Sequence, residues 1–154
     1  MDYQANILIV DDEPGIRIGC RRALEPAGYR VDEAGSFKQG QEKLAFAIYD
    51  LILLDVMLPD GRGIDLLPDI VAKDPETVTI IVTGYATVEM AVSAIKRGAY
   101  DFISKPFTSD LLLLAVEQGL EKRRLSLEAR RLKQVEAEAA ELARQKTEAE
   151  RPHS

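Results

Sequence analysis

The sequence contains no tryptophan, one cysteine and one histidine. A lone Cys20 cannot form an intramolecular disulfide, which excludes a disulfide-stapled scaffold and is typical of a reducing compartment. The only histidine, His153, lies in the final segment 151–154, so we expect no catalytic histidine in the folded body. No apolar run approaches the roughly 18 residues that span a bilayer, and no secretory signal precedes residue 5. We therefore expect a cytoplasmic protein that does not enter a membrane.

Positive charge is scarce in most of the chain. The net charge is −6; residues 1–120 hold 11 Lys/Arg against 19 Asp/Glu, whereas residues 121–154 hold 9 against 7. An acidic body binds nucleic acid poorly, because the phosphate backbone repels it. The same charge suits a cation site or a basic partner surface. We therefore expect no direct nucleic-acid binding by this segment.

Short apolar runs alternate with amphipathic stretches through the first 120 residues. This alternation predicts βα units, and hence an α/β fold with a doubly wound five-stranded parallel sheet. The predicted strands are residues 5–10, 29–33, 51–54, 78–82 and 100–104. The predicted helices are residues 14–28, 36–47, 64–73, 87–97 and one that begins after Ser109 or Asp110 as its N-cap. Pro14 suits a first helical turn, and Ser36 suits an N-cap.

The last predicted helix has no stop signal before residue 150. From Leu111 onward there is no proline up to that point, and Gly119 is the only glycine. A seam with 3-4 spacing follows, mostly apolar but with two charged members that weaken a coiled-coil interpretation: Leu125, Glu128, Leu132, Val135, Ala139, Leu142, Lys146 and Ala149. The pattern predicts a domain over 1–120 and, over 121–154, a helical linker and tail that pairs with another chain as a coiled coil. A solvated single helix is the alternative.

Polar residues follow four of the predicted strands. Asp11 and Asp12 follow the first, Asp55 the third, Thr83 the fourth and Lys105 the fifth. In open α/β sheets the carboxyl ends of parallel strands share one edge, and ligands bind there. We therefore expect these side chains to converge on one site.

The expected cluster has the composition of a phosphoryl-transfer site. Three carboxylates repel one another unless a cation neutralises them, and oxygen ligands favour Mg²⁺. Asp55 is the candidate nucleophile, because carboxylates form acyl phosphates. Lys105 supplies a positive charge and Thr83 a hydroxyl donor. The sequence thus predicts phosphoryl transfer to an aspartate with Mg²⁺ as cofactor.

Residues 5–120 resemble the receiver domain of two-component response regulators, which has the CheY-like fold with strand order 2-1-3-4-5. The stretches that carry the resemblance are Ile9-Val10-Asp11-Asp12-Glu13-Pro14, Leu54-Asp55-Val56-Met57-Leu58-Pro59-Asp60-Gly61 and Phe102-Ile103-Ser104-Lys105-Pro106-Phe107. The segments 82–87 and 98–102 resemble the NtrC-type subgroup in particular. An extended C-terminal helix would follow the receiver.

The resemblance implies a role for each member of the metal site. Asp55 would be the phosphoacceptor. Asp12 and Asp55 would bind Mg²⁺ directly, together with the main-chain carbonyl of Met57, and Asp11 would be the further acid of the site. Lys105 would bind a phosphoryl oxygen, and its peptide bond to Pro106 is a candidate for the cis form.

The resemblance also implies a switch around the acceptor. Thr83 would bind a phosphoryl oxygen, and Gly84 would leave room for the donor histidine. Phe102 stands where the family often has tyrosine. Its ring can still swing inward as Thr83 moves, but it offers no hydroxyl hydrogen bond; a static core ring is the alternative.

These roles imply a signalling protein rather than an enzyme, apart from its own phosphotransfer and autodephosphorylation. The phosphodonor would be a sensor histidine kinase or a phosphotransfer protein. A homodimer would form through the final helix, or through the face made by the helix at 87–97, the fifth strand and the final helix. The output domain would lie outside this chain, either as an ATPase and DNA-binding module or as a histidine-kinase dimerisation domain.

Three other functions compete with this interpretation. A degenerate receiver would serve only as a dimerisation module, but the acid set is intact. A phosphohydrolase of the haloacid dehalogenase type expects a second acid two residues after the nucleophile, where Met57 stands. A flavodoxin-like nucleotide binder expects a glycine-rich loop after the first strand, where the sequence has Asp11 and Asp12 instead.

Overall fold

The computed structural model describes residues 4–84 and 87–150. Five parallel strands form the main sheet: β1 (Asn6–Val10), β2 (Arg30–Ala34), β3 (Leu51–Leu54), β4 (Val78–Thr83) and β5 (Asp101–Ser104). Their order across the sheet is β2-β1-β3-β4-β5, which confirms the predicted doubly wound topology. The weakly apolar β2 lies at one edge, where charged side chains such as those of Arg30, Asp32 and Glu33 protect an open strand from pairing with another chain.

Helices connect the strands and cover both faces of the sheet. They are α1 (Pro14–Leu24), α2 (Phe37–Phe46), α3 (Leu67–Lys73), α4 (Val88–Lys96) and α5 (Ser109–Ala149). Pro14 begins α1 as predicted. Proline suits this position because an N–H in the first turn has no acceptor within the helix, so its absence costs no hydrogen bond. The hydroxyl of Ser36 accepts the N–H of Gln39 at 3.1 Å, which confirms the predicted cap of α2.

Side chains of the central strands alternate between two apolar cores, one on each face. The first core joins the strands to α1 and α5 through Ile7, Ile9, Leu24, Leu51, Leu53, Ile80 and Leu112. The second joins them to α2, α3 and α4 through Leu8, Val10, Leu44, Ile52, Leu54, Ile70, Ile81 and Ala94. Burial on both faces explains why β3 is an unbroken aliphatic run. A Cβ at Gly119 would lie 2.9 Å from Leu51 Cδ1, so this glycine lets α5 lie close against the sheet.

Apart from one-residue shifts in the bounds of the strands and of α2 and α4, the structure differs from the sequence prediction at four places. Helix α1 ends at Leu24, and a turn reaches Gly28, whose φ of 99° suits glycine. The predicted helix over 64–73 is a 3₁₀ turn (Gly63–Leu66) followed by α3. A hairpin of two short strands, Met57–Leu58 and Gly61–Arg62, was not predicted.

The fourth difference concerns the start of α5. The expectation that Ser109 or Asp110 caps this helix is wrong by at least one residue. The hydroxyl of Thr108 accepts the N–H of Leu111 at 3.2 Å, which is the N-cap arrangement. Thr108, Ser109 and Asp110 are consecutive, and the side chain of each can accept a hydrogen bond as an N-cap. The sequence alone therefore did not identify Thr108 as the cap.

The chain divides into two compact units, one up to Arg123 and one from Arg124 onward. In the second unit every residue over 127–150 is exposed. Glu128 pairs there with Arg131 and Glu141 with Arg144, each three residues apart. The tail that carries His153 lies outside the described residues. Within the described ranges, no helix combines the length and apolar character that a bilayer crossing requires.

Candidate functional site

The predicted acids meet at the carboxyl ends of β1 and β3. Val10 pairs with Leu54 across these strands, so Asp11 and Asp55, the next residues, lie at the same level of the sheet. Both are buried, with 2% and 4% of their surface exposed, whereas Asp12 is exposed. One carboxylate oxygen from each of the three lies within 4.8 Å of the others. The sequence-predicted acid cluster is therefore present.

Lys105 reaches this cluster from the end of β5. Its Nζ lies 2.7 Å from Asp11 Oδ2 and 3.0 Å from Asp55 Oδ2, with Glu13 Oε1 at 3.4 Å. The peptide bond between Lys105 and Pro106 is cis, as the sequence led us to expect. The ammonium group is the positive charge that these buried carboxylates contact directly.

Burial and hydrogen bonding act in opposite directions on the pKa values of Lys105 and Asp11. Burial alone would lower the pKa of Lys105, but hydrogen bonds to Asp11 and Asp55 raise it above its ordinary value, so the ammonium stays charged. Burial raises the pKa of Asp11, although Lys105 and the N–H of Glu13 act against that shift. The raised pKa of Asp11 means that further positive charge nearby would favour its ionised form.

The donor set fits a hard divalent cation such as Mg²⁺. The three side chains offer only carboxylate oxygens, which is the ligand type that Mg²⁺ prefers. Asp12 is exposed, so water can complete a coordination sphere on that side. Asp11, Asp12 and Asp55 would hold the ion, and the main-chain carbonyl of Met57 remains a predicted ligand.

The backbone after Asp55 folds back tightly against the acceptor. The N–H of Met57 donates to Asp55 Oδ1 at 3.2 Å, and the N–H of Gly63 donates to the carbonyl of Val56 at 2.8 Å. A Cβ at Gly63 would lie 1.8 Å from the carbonyl oxygen of Asp55, so only glycine fits there. The acceptor is thus held by the segment that immediately follows it.

The remaining predicted residues surround this cluster at the ends of β4 and β5. Thr83 is fully buried, and its carbonyl accepts the N–H of Lys105 at 2.9 Å. Gly84 is exposed, and a Cβ there would meet no atom within 4 Å. Phe102 is partly buried against the core beneath α2, α3 and α4. Residues 85 and 86, part of the NtrC-like stretch, lie outside the described residues.

Two main-chain contacts of Asp11 were not predicted from the sequence. Arg17 Nη1 donates to the carbonyl of Asp11 at 2.7 Å, and Arg17 Nε pairs with Glu33 at 3.0 Å. The N–H of Glu13 donates to Asp11 Oδ1 at 2.9 Å. Glu13 immediately precedes α1 and Arg17 lies in its first part, so both follow Asp11 by only a few residues. That proximity in the sequence was the available signal.

A family comparison matches most of the chain. The model of the response regulator receiver domain matches residues 7–117. A nitrogen assimilation regulatory protein, NtrX of Azorhizobium caulinodans, is 42% identical over 132 residues, which cover 84% of this chain and 29% of that protein.

Solved structures agree with the sequence comparison. NtrX from Brucella abortus superposes with a TM-score of 0.79 at 37% identity, covering 84% of this chain and 30% of that one. The beryllofluoride-activated NtrC4 receiver domain dimer gives a TM-score of 0.73 at 36% identity, covering 77% of this chain and 98% of that one. The chain therefore spans a whole receiver domain but about 30% of the length of the two NtrX proteins.

Proposed function

This chain belongs to the response regulator receiver domain family, and we propose that it accepts a phosphoryl group on Asp55 from a phosphohistidine. The donor would be a sensor histidine kinase or a phosphotransfer protein. The observation that carries the proposal is the buried Asp55 carboxylate, paired with Lys105 at 3.0 Å inside a cluster of three acids. A merely structural ion pair has no need of the second and third carboxylate.

The transfer exchanges one phosphorus bond for another. A carboxylate oxygen of Asp55 attacks the phosphorus, the P–N bond to the donor imidazole breaks, and the imidazole leaves with the electron pair. When bound, Mg²⁺ would neutralise charge on the acids and on the phosphoryl oxygens. Lys105 lies close enough to Asp55 to stay beside the new phosphoryl group. The open space at Gly84 is consistent with access for a donor side chain.

The product would alter the face formed by α4, β5 and α5. The hydroxyl of Thr83 and the ammonium of Lys105 would turn to the phosphoryl oxygens, and the ring of Phe102 would follow the space that Thr83 leaves. Exposed apolar side chains already lie on the two helices of this face: Val88, Val92, Ile95, Leu111 and Leu114. We propose this face as one surface for homodimerisation. The NtrC4 receiver domain, which has the same fold, forms a dimer when activated by beryllofluoride.

The helix from Arg124 onward offers a second surface for pairing. Leu125, Leu132, Val135 and Leu142 are each about half exposed or more. A stripe of exposed leucine and valine on a long helix is stabilised by packing against a second copy. The signal would then leave the receiver through this helix to an output module, for which an ATPase and DNA-binding domain or a kinase dimerisation domain are the proposals.

The acceptor assignment is tested with acetyl phosphate as a small phosphodonor. With Mg²⁺ present, the wild-type chain should gain one phosphoryl group by intact mass, and Asp55→Asn should gain none. Asp69→Asn, an exposed acid on α3, is the matched control and should be labelled like the wild type. Labelling of Asp55→Asn at the wild-type rate would refute the assignment.

The switch is tested with beryllofluoride, which mimics a phosphoryl group on the acceptor. We expect the dimer fraction, measured by analytical ultracentrifugation, to rise when beryllofluoride and Mg²⁺ are added to the wild-type chain. Asp55→Asn should not respond, because it cannot form the beryllofluoride adduct. If the wild-type chain is labelled by acetyl phosphate and its sedimentation profile is nevertheless unchanged by beryllofluoride and Mg²⁺, dimerisation is contradicted as the readout.

A further inference from the structure

The unpredicted hairpin after Asp55 is attached to the rest of the domain at its tip as well as at its base. Met57 pairs with Arg62 and Leu58 with Gly61, so Pro59 and Asp60 form the tip. The carboxylate of Asp60 contacts the first residues of α2.

Asp60 accepts two main-chain hydrogen bonds from α2. Its Oδ1 accepts the N–H of Phe37 at 2.8 Å, and its Oδ2 accepts the N–H of Lys38 at 3.0 Å. These bonds lower the pKa of Asp60 below its ordinary value, so the carboxylate is charged at neutral pH. A negative charge at a helix N-terminus is stabilised by the helix dipole as well as by the bonds themselves.

The N–H groups in the first turn of α2 are bound by two residues, the neighbouring Ser36 and the distant Asp60. Ser36, the residue that precedes the helix, accepts the third N–H, that of Gln39. Asp60 takes the first two N–H groups from 22 and 23 positions away in the sequence. A helix that needed only a cap would not require a residue from another loop. The bonds of Asp60 therefore fix the hairpin tip as much as they complete the helix.

The base of the same hairpin touches the acceptor. The N–H of Met57 donates to Asp55 Oδ1 at 3.2 Å. Gly63, just beyond the hairpin, lies so close to the carbonyl of Asp55 that no Cβ fits between them. The hairpin is only two residues long on each side, so a shift of its tip changes the position of the Met57 peptide directly.

We propose that Asp60 is a positioning residue of the acceptor site, which holds the Met57 peptide against Asp55 and so sets the affinity for Mg²⁺ without touching the ion. The inference rests on the proposed function, since it assigns a further residue to the same site. Groups that orient a metal ligand from behind typically change metal affinity by 10- to 100-fold when removed. A purely structural cap would change stability alone.

The test compares Asp60→Ala with Asp69→Ala, an exposed acid on α3 whose carboxylate contacts the side-chain amide of Gln41 at 3.3 Å. Both changes remove one exposed negative charge. MgCl₂ is titrated into each protein by calorimetry, and amide hydrogen exchange of Met57 is measured without metal. Melting temperature and acetyl-phosphate labelling at saturating Mg²⁺ are recorded in parallel.

Asp60→Ala should raise the Kd for Mg²⁺ roughly 10-fold and speed exchange at Met57. Asp69→Ala should shift the Kd by about twofold or less, because a surface charge is screened by salt. Asp60→Asn retains one acceptor oxygen, so its Kd should lie between those of the wild type and Asp60→Ala. This milder variant also carries the test if Asp60→Ala does not fold.

Equal Mg²⁺ affinities for the Asp60 and Asp69 variants would overturn the proposal, even if Asp60→Ala melted at a lower temperature. That result would leave Asp60 as a helix cap. Failure of the proposed function has a different signature, in which the wild-type chain neither binds Mg²⁺ nor is labelled by acetyl phosphate. Retained labelling of Asp60→Ala at saturating Mg²⁺, with a raised Kd, supports the inference.

Discussion

The unit up to Arg123 and the helix from Arg124 onward use the same kinds of residue in different ways. In the first unit Arg123 is 11% exposed and pairs with Asp50 at 2.9 Å and Asp74 at 3.1 Å, carboxylates far away in the sequence. In the second, Arg131 is 62% exposed and pairs with Glu128, three residues away. The first arrangement joins separate segments of a fold, whereas the second supports only the local helix.

Leucine shows the same contrast within α5. Leu112 is completely buried in the core beneath β3 and β4, while Leu132 is 49% exposed. Helices without tertiary packing depend on intrinsic propensity, which is marginal in water. The comparison teaches that the receiver is stabilised by its own contacts, and that the later helix requires either high propensity or a partner.

The largest expected effect comes from replacing Leu112 by alanine, and Leu132→Ala is its matched comparison. Leu112→Ala should reduce the free energy of unfolding by about 3 kcal/mol, because it removes a fully buried side chain and leaves a cavity. Leu132→Ala should change the unfolding of the receiver by less than about 0.5 kcal/mol, as surface substitutions usually do. Urea denaturation followed by circular dichroism measures both.

Protein concentration sharpens this comparison. If the later helix pairs with a second copy, Leu132→Ala should lower the helix signal at low protein concentration more than at high concentration. Leu112→Ala should show no such dependence. If the helix signal of Leu132→Ala equalled that of the wild type at every protein concentration, the alternative of a solvated single helix would be favoured.

The sequence was sufficient for the sheet and for the acid cluster, for a physical reason. The buried strands β1 and β3 are largely or wholly apolar runs, and they end where Asp11 and Asp55 begin, while Lys105 directly follows the more polar β5. Because parallel strands share one edge at their carboxyl ends, the position of a residue after its strand already places it in space. The roles of these residues in chemistry stay predictions from the family resemblance and from the geometry.

Contacts between distant segments were beyond the sequence. Asp60 binds the start of α2, and Arg123 binds Asp50 and Asp74, but no periodicity links these positions. The hairpin at 57–62 is too short to show an alternating pattern. Such contacts depend on where loops end in three dimensions, which local propensity does not encode.

A smaller effect should follow from replacing Arg123 by alanine, with Arg131→Ala as its comparison in the second unit. Arg123→Ala leaves the carboxylates of Asp50 and Asp74 without their shared cation, and Asp74 is only 15% exposed. The loss should be about 2 to 3 kcal/mol in the free energy of unfolding, below the range for fully buried pairs because Asp50 is partly solvated. Arg131→Ala should leave the urea midpoint unchanged, since its pair is exposed and local.

Salt and a conservative variant separate pairing from packing at Arg123. Arg123→Lys keeps the charge but loses the planar fork that reaches two carboxylates at once, so it should recover only part of the lost stability. The penalty of Arg123→Ala should persist in about 0.5 M NaCl, because partly buried pairs are screened less than exposed ones. If Arg123→Ala were as neutral as Arg131→Ala, the two units would not differ in how they use charge, and the stability of the receiver would rest on its apolar cores alone.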